Sequence, residues 1–301
     1  MIDLTGLTAL CEKLGCKITP DCSLKEYTTF RLGGRCRALI SINSAVSAAE
    51  LLKYLRANDI RYGILGRGSN TIVPDDGFDG VVLLIGSDFA GITIEDDLIK
   101  CQAGALLASA CVHAQQHGLT GMENLFGIPG TVGGALYMNA GAYGSEMKDV
   151  AVSAQYIDED CNIRTVSAED MDLYYRHSCF SGTSCVITSV TMKLEKGDPA
   201  EIKAAMNECM QKRSSKQPLE YPSAGSTFKR PEGSYASLLI DQCGLKGMSR
   251  GGAQVSEKHA GFVINTGDAT CNDVLELCDD VRKIVFDKTG YKLELEPVIL
   301  R

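Results

Sequence analysis

The sequence predicts an α+β protein built from successive regions of different character. Three observations lead there. A strand–helix–strand opening runs from Arg37 to Leu65 and ends in a glycine turn. From Val81 onward the pattern changes to short strands joined by hairpins. The break Gln217-Pro-Leu-Glu-Tyr-Pro222 then places a domain boundary before a last region with its own helices and strands.

Each element has a local reason. Leu7–Leu14 reads as a short helix stopped by Gly15. Residues 24–34 read as extended, ending in a Gly-Gly turn. Arg37–Ile42 is a strand, and Ala45–Ala57 a helix capped by Ser44, with Val46, Leu51, Leu52 and Leu55 on one face. Ile60–Leu65 is a buried strand. Val81–Ile85 is another, and Ile92–Glu95 with Leu98–Ala103 forms a hairpin over Asp96 and Asp97. A helix covers Ala105–His117 and stops at Gly118. Val150–Ile157 and Ile163–Val166 form a second hairpin, with Asp158, Glu159 and Asp160 as its solvated turn, and Cys185–Leu194 is a strand. Pro199 opens a helix to about Lys212 as a first-turn proline. The last region holds a helix at Ser237–Asp241 and strands at Ala253–Val255 and Gly261–Ile264. A helix at Asn272–Lys288 and a terminal strand at Leu293–Leu300 complete it.

Composition narrows the function. The 301 residues suffice for two or three modest domains. Apolar residues at 45% and charged residues at 23% are ordinary for a globular protein. A net charge of −8 argues against nucleic acid as the main partner, which needs a basic face. The 13 cysteines contain no C-x-x-C pair and follow no regular spacing. They read as small buried hydrophobes in a reducing compartment, neither a disulfide framework nor a zinc site. The N-terminus lacks the basic and apolar segments of an export signal, and no apolar run is long enough to span a bilayer. A cytoplasmic protein is expected.

The densest chemical signal is the stretch 121–144. It carries Gly127, Gly130, Gly133, Gly134, Gly141 and Gly144, with Pro129 fixing one turn. Such clustering implies close backbone approaches and outward N–H groups that bind anions. Asn139 and Tyr143 can hydrogen-bond or stack on a flat ligand. The spacing is neither a Walker loop nor a dinucleotide fingerprint. A second glycine turn, Gly66-Arg-Gly-Ser-Asn70, follows a strand. Alone it is commonly structural; a second nest downstream is what a pyrophosphate held from two sides needs.

Four further constellations stand out. Arg176 lies among aromatic residues beside His177, and its planar fork suits a carboxylate or phosphate. Ser226 sits in a small-residue turn after Pro218 and Pro222, with Lys229 and Arg230 behind it. A hydroxyl so placed can protonate a carbanion, although turn serines are commonly structural. Glu294 and Glu296 share one face if Leu293–Leu300 is a strand. His113 and His117 have a metal-ligand spacing, but no neighbouring carboxylate completes a site, so no metal is expected.

Seven ordered segments carry a resemblance. They are Tyr27-Thr-Thr-Phe-Arg-Leu-Gly-Gly34, Leu65-Gly-Arg-Gly-Ser-Asn70, Gly127-Ile-Pro-Gly-Thr-Val-Gly-Gly-Ala135 and Asn139-Ala-Gly-Ala-Tyr-Gly144. Tyr175-Arg-His-Ser178, Ala224-Gly-Ser-Thr-Phe-Lys229 and Leu293-Glu-Leu-Glu296 follow. In this order, over nearly the whole chain, they resemble the UDP-N-acetylenolpyruvoylglucosamine reductases, flavoenzymes of peptidoglycan synthesis. The phrase Pro218-Leu-Glu-Tyr-Pro-Ser-Ala-Gly-Ser226 resembles the shorter subtype without an inserted substrate-covering loop.

The resemblance implies an FAD-binding region of the vanillyl-alcohol-oxidase (PCMH) type in two subdomains, 1–75 and 76–198. A C-terminal α/β substrate-binding domain follows at 199–301, its last strand able to return to the FAD region. It implies non-covalent FAD held by Gly66, Arg67, Gly68, Ser69, Asn70, Gly127, Ile128, Pro129, Gly130, Thr131, Gly133, Gly134, Asn139, Ala140, Gly141 and Ala142. Arg176, Ser226 and Glu296 take the catalytic positions, with Glu296 preferred to Glu294. Tyr175, Lys229 and Lys246 are the candidates for contacts to a UDP-sugar, and NADPH is the implied hydride donor. A monomer without nucleic-acid or membrane partners is expected. An FAD-dependent sugar or alcohol oxidase and a non-catalytic nucleotide-binding module are the competing readings.

Overall fold

The structure is a computed structural model and describes residues 4–301. Its helices are α1 (Leu4–Leu14), α2 (Ala45–Ala57), α3 (Leu107–Gln116), α4 (Val132–Tyr137), α5 (Pro199–Lys216), α6 (Ala236–Gln242) and α7 (Cys271–Thr289). With the sheets below they make the α+β architecture expected from the sequence. The chain divides into two compact units. The first comprises the segment up to Pro20, Ala38–Arg67 and Gly80–Lys212; the second comprises Asp21–Arg37, Gly68–Asp79 and Arg213–Arg301.

The two largest sheets have four and five strands. One has the strand order Lys17–Ser23, Arg35–Ser41, Phe78–Leu84, Tyr62–Leu65, and its last pair is parallel, with Tyr62 opposite Val81. The other is antiparallel, in the order Ile163–Ser167, Ala151–Ile157, Val186–Lys193, Leu98–Gln102, Ile92–Glu95. α2 begins with a capping box in which Ser44 and Ser47 exchange hydrogen bonds. Its Leu51, Leu52 and Leu55 are fully buried, each worth about 1.5–3 kcal/mol of apolar burial.

The second unit has its own core around Val274, Leu277, Cys278, Val281 and Val285 of α7, packed with Leu239, Ile240, Val255 and Val263. Its three-stranded sheet runs Ser249–Arg250, Ala253–Val255, Val263–Asn265. α7 is capped twice. Thr270 forms a capping box with Asp273, and Asp75 accepts the N–H groups of Cys271 (2.7 Å) and Asn272 (2.9 Å). Gly290 closes the helix in the left-handed conformation.

The structure departs from the sequence expectations in places that have physical reasons. α4 lies inside the glycine stretch, where glycine disfavours helix. It forms because Thr131 caps Gly134 and Val132, Ala135 and Leu136 are buried. Lys17–Ser23 is a strand despite Pro20, since it holds a sheet edge. Leu24–Tyr27 is a 3₁₀ turn rather than extended. The expected terminal strand is reduced to Val298–Ile299, paired parallel to Thr71–Ile72, with an isolated bridge between Leu295 and Phe228. Pro297 removes a donor between the two pairings. α5 runs to Lys216, four residues beyond the expected end.

Asp75→Ala should lower stability by about 0.5–2 kcal/mol, because two donors at the start of α7, one half-buried and one exposed, lose a charged acceptor. Urea unfolding checks this, with Asp75→Asn expected to fall between the two.

Candidate active site

In the first unit the two glycine segments meet. A Cβ on Gly66 would stand 2.7 Å from Thr131 Oγ1, so only glycine allows this approach. Gly133 is equally constrained, its Cβ position being 2.7 Å from that of Ala103. The Val132 N–H donates to Ala105 O (2.8 Å) and the Gly133 N–H to Ala103 O (2.9 Å). The bare backbone of Gly66 thus lies against the N-cap of α4, an arrangement that suits a phosphate. Arg67 is exposed; Gly127, Ile128 and Gly130 are half-buried and Pro129 exposed along the loop into α4.

The end of α4 carries a second feature. Gly141–Ala142 and Ser145–Glu146 form a two-residue hairpin whose tip, Tyr143 and Gly144, has positive φ at both positions. That geometry normally selects Asn-Gly, so an exposed tyrosine there is costly. Arg176 is also left-handed, with φ +56°. It occupies a tight turn closed by the Tyr174 N–H on His177 O (3.3 Å) and the His177 N–H on Tyr174 O (3.0 Å). Glycine is the usual residue at such a place, so an arginine there costs about 1–2 kcal/mol of backbone strain. Its guanidinium lies over the ring of Tyr175, 5.0 Å from the centroid.

Asn139 joins these pieces. It is fully buried and donates to Tyr174 O and to Glu146 Oε2, both at 3.0 Å, while its Oδ1 accepts the Lys148 N–H at 2.9 Å. Its side chain is thus engaged within the protein. Ala140, Gly141 and Ala142 continue from it, half-buried. Glu146 pairs with Lys148 at 2.8 Å. Burial pushes its carboxyl up, but hydrogen bonds from Lys148 and Asn139 and the charges of Lys148 and Arg176 bring it below the usual value. No sequence signal singled out Glu146.

In the second unit, Gly68 has φ +63° and its Cβ position is 2.8 Å from the Cα of Thr28. Thr28 Oγ1 is buried and has no hydrogen-bond partner among the described residues. Thr29 Oγ1 donates to Ser223 O (2.7 Å). Asn70 Nδ2 donates to Glu296 O (3.3 Å), and the Val298 N–H donates to Asn70 O (2.9 Å). Ser69 lies half-buried between them in sequence.

Ser226 is exposed after left-handed Gly225, while Thr227 and Phe228 beyond it are buried. The Glu296 N–H donates to Thr227 O (3.0 Å), and the Lys229 N–H donates to Glu294 O (2.8 Å). This short ladder separates the two acids. Glu296 is half-buried at the Ser226 end. Glu294 is 72% exposed and pairs with Lys229 at 3.6 Å. Lys246 pairs with Asp241 at 3.1 Å. Both lysines therefore already hold a carboxylate partner. His113 and His117 each turn Nδ1 to a carbonyl four residues earlier on α3. Among the described residues no cluster of metal-binding side chains is present.

In the first unit the close approach of Gly66 to the cap of α4 suits a phosphate, and in the second unit an orphaned buried hydroxyl lies beside Gly68. Residues 37–167 match the family model described as FAD binding domain, which makes this a flavin-binding protein. Residues 217–300 match the model described as UDP-N-acetylenolpyruvoylglucosamine reductase, C-terminal domain. The chain is 46% identical to the UDP-N-acetylenolpyruvoylglucosamine reductase of Caldanaerobacter subterraneus subsp. tengcongensis, over 90% of this chain and 89% of that protein. It is 45% identical to the reductase of that name from Clostridium perfringens, over 94% and 93%. The crystal structure of UDP-N-acetylenolpyruvylglucosamine reductase (MurB) from Thermus caldophilus superposes with a TM-score of 0.80 at 33% identity, covering 95% of this chain and 99% of that one. The chain belongs to the UDP-N-acetylenolpyruvoylglucosamine reductase family.

Glu146→Gln should flatten the acid limb of the stability curve. A carboxylate with a depressed folded pKa stabilises above its unfolded value of 4.5, and that contribution is lost as pH falls through the folded value. As pH is lowered from about 7 to about 3, the thermal midpoint should fall more steeply for the wild type than for the variant.

Proposed function

We propose that this protein reduces the enolpyruvyl ether of UDP-N-acetylglucosamine to UDP-N-acetylmuramate, a step of peptidoglycan synthesis, with NADPH as reductant. The reaction places a hydride on C3 and a proton on C2 of the double bond. Bound FAD supplies the hydride carrier between the nicotinamide and the carbon. Support comes above all from the identity to reductases of that name over nine-tenths of the chain.

The chain's own residues have the following roles. Gly66 with Thr131, and Gly68 with Asn70, bind the cofactor through backbone groups, along with the loop from Gly127 to Gly130. Arg176 pairs with the substrate carboxylate. An enol ether accepts hydride poorly until negative charge at C2 is stabilised, and a fixed guanidinium does this without reorganising. The strain that holds an arginine in a left-handed turn supports a functional role for it. Ser226 gives its hydroxyl proton to C2. Glu296, at the Ser226 end of the ladder, contacts the substrate carboxylate and, when protonated, donates a hydrogen bond to it. Tyr175 lines the substrate, and Lys229 and Lys246 reach the UDP pyrophosphate by exchanging their carboxylate partners.

No helix among the described residues is long and apolar enough to cross a membrane. A cytoplasmic monomer is the proposed working form.

The purified protein should be yellow and should release FAD on denaturation. Ser226→Ala should keep its flavin and be bleached by NADPH, yet lose about 10²–10⁴-fold or more in reoxidation by the UDP-substrate. Normal turnover by that variant would remove Ser226 from the role. Arg176→Lys keeps a cation but loses the fork, so kcat should fall about 10²-fold; near-wild-type kinetics would exclude the assignment.

A further inference from the structure

A left-handed arginine persists only where its surroundings over-determine it. Around Arg176 those surroundings are specific. Tyr174 O, the carbonyl that receives the His177 N–H and closes the turn, also receives the Asn139 amide at 3.0 Å. Both lone pairs of that oxygen are thereby filled. The same amide donates to Glu146, and its oxygen is held by the Lys148 N–H, so Asn139 cannot rotate without breaking three hydrogen bonds. Directly after the turn, fully buried Ser178 donates to Tyr137 O (2.7 Å), fastening the segment to the last residue of α4. Asn139 is itself left-handed, at φ +39°, a conformation asparagine tolerates better than most residues.

We infer that Asn139 is a positioning residue for Arg176: its amide fixes the Tyr174–His177 turn and so aims the guanidinium, without touching a ligand. This rests on the role of Arg176 proposed above. It assigns the Asn139 side chain to the turn, in place of the direct cofactor contact expected from the sequence.

Asn139→Gly is the informative variant, because glycine keeps the left-handed backbone and removes only the amide. Flavin absorbance and thermal midpoint are recorded first. NADPH-reduced enzyme is then mixed with the enolpyruvyl UDP-substrate, and flavin reoxidation is followed for wild type, Asn139→Gly, Arg176→Ala and the double variant. Asn139→Gly should slow reoxidation about 10–100-fold, the range a small misplacement produces. In the Arg176→Ala background it should change the rate by less than about twofold. Full additivity in the double variant, or an undiminished rate in Asn139→Gly, overturns the positioning role. A wild-type rate in Arg176→Ala instead overturns the proposed role of Arg176 itself. If the glycine variant loses its flavin, Asn139→Asp goes through the same cycle. It keeps the volume and the bond from the Lys148 N–H but cannot donate to Tyr174 O at neutral pH.

Discussion

The site depends on one constraint: backbone must approach backbone where no side chain fits. Gly66 lies against Thr131, and Gly133 against Ala103. Those contacts hold α4 to the start of α3 and to the end of the antiparallel sheet, through the bonds of Val132 and Gly133 to residues 103–105. α4 is too short and too rich in glycine to be stable by itself. It exists because its cap and its apolar face are buried, and everything attached to its far end inherits that placement.

What is attached is chemically important. Asn139 follows α4 directly and reaches both the Glu146 hairpin and the Arg176 turn. An arginine, a tyrosine and an asparagine all adopt left-handed backbone in this small region. Strain concentrated in this way is retained only where the side chains are worth more than the backbone cost. In the second unit the logic differs. A short ladder between residues 227–229 and 294–296 sorts two similar acids, leaving Glu294 exposed beside Lys229 and Glu296 half-buried at the end of the ladder next to Ser226.

Much of the fold was legible because its signals are local. Ser44 announces α2 through a cap, Gly290 ends α7 and Asp96-Asp97 turns a hairpin, and each needs only a few neighbouring residues. α4 was hidden because its glycines oppose the helix that burial imposes. The terminal strand is shorter than the alternation in Leu293–Leu300 suggests, because alternation cannot show that Pro297 interrupts pairing and that different partners serve its two ends. Glu146 was invisible, since its importance lies in contacts with Asn139 and Lys148 and in the nearby charge of Arg176, not in any motif.

Residue type and order are enough to fix the family, the α+β class and the positions of the site's glycine, arginine, serine and glutamate. A one-dimensional string records both in full. Folding alone turns Asn139 inward, strains the turn at Arg176, and sets Glu296 rather than Glu294 at the Ser226 end of the ladder. These are statements about which distant segments share a hydrogen bond, and the energy of such a bond depends on distance in space, not along the chain.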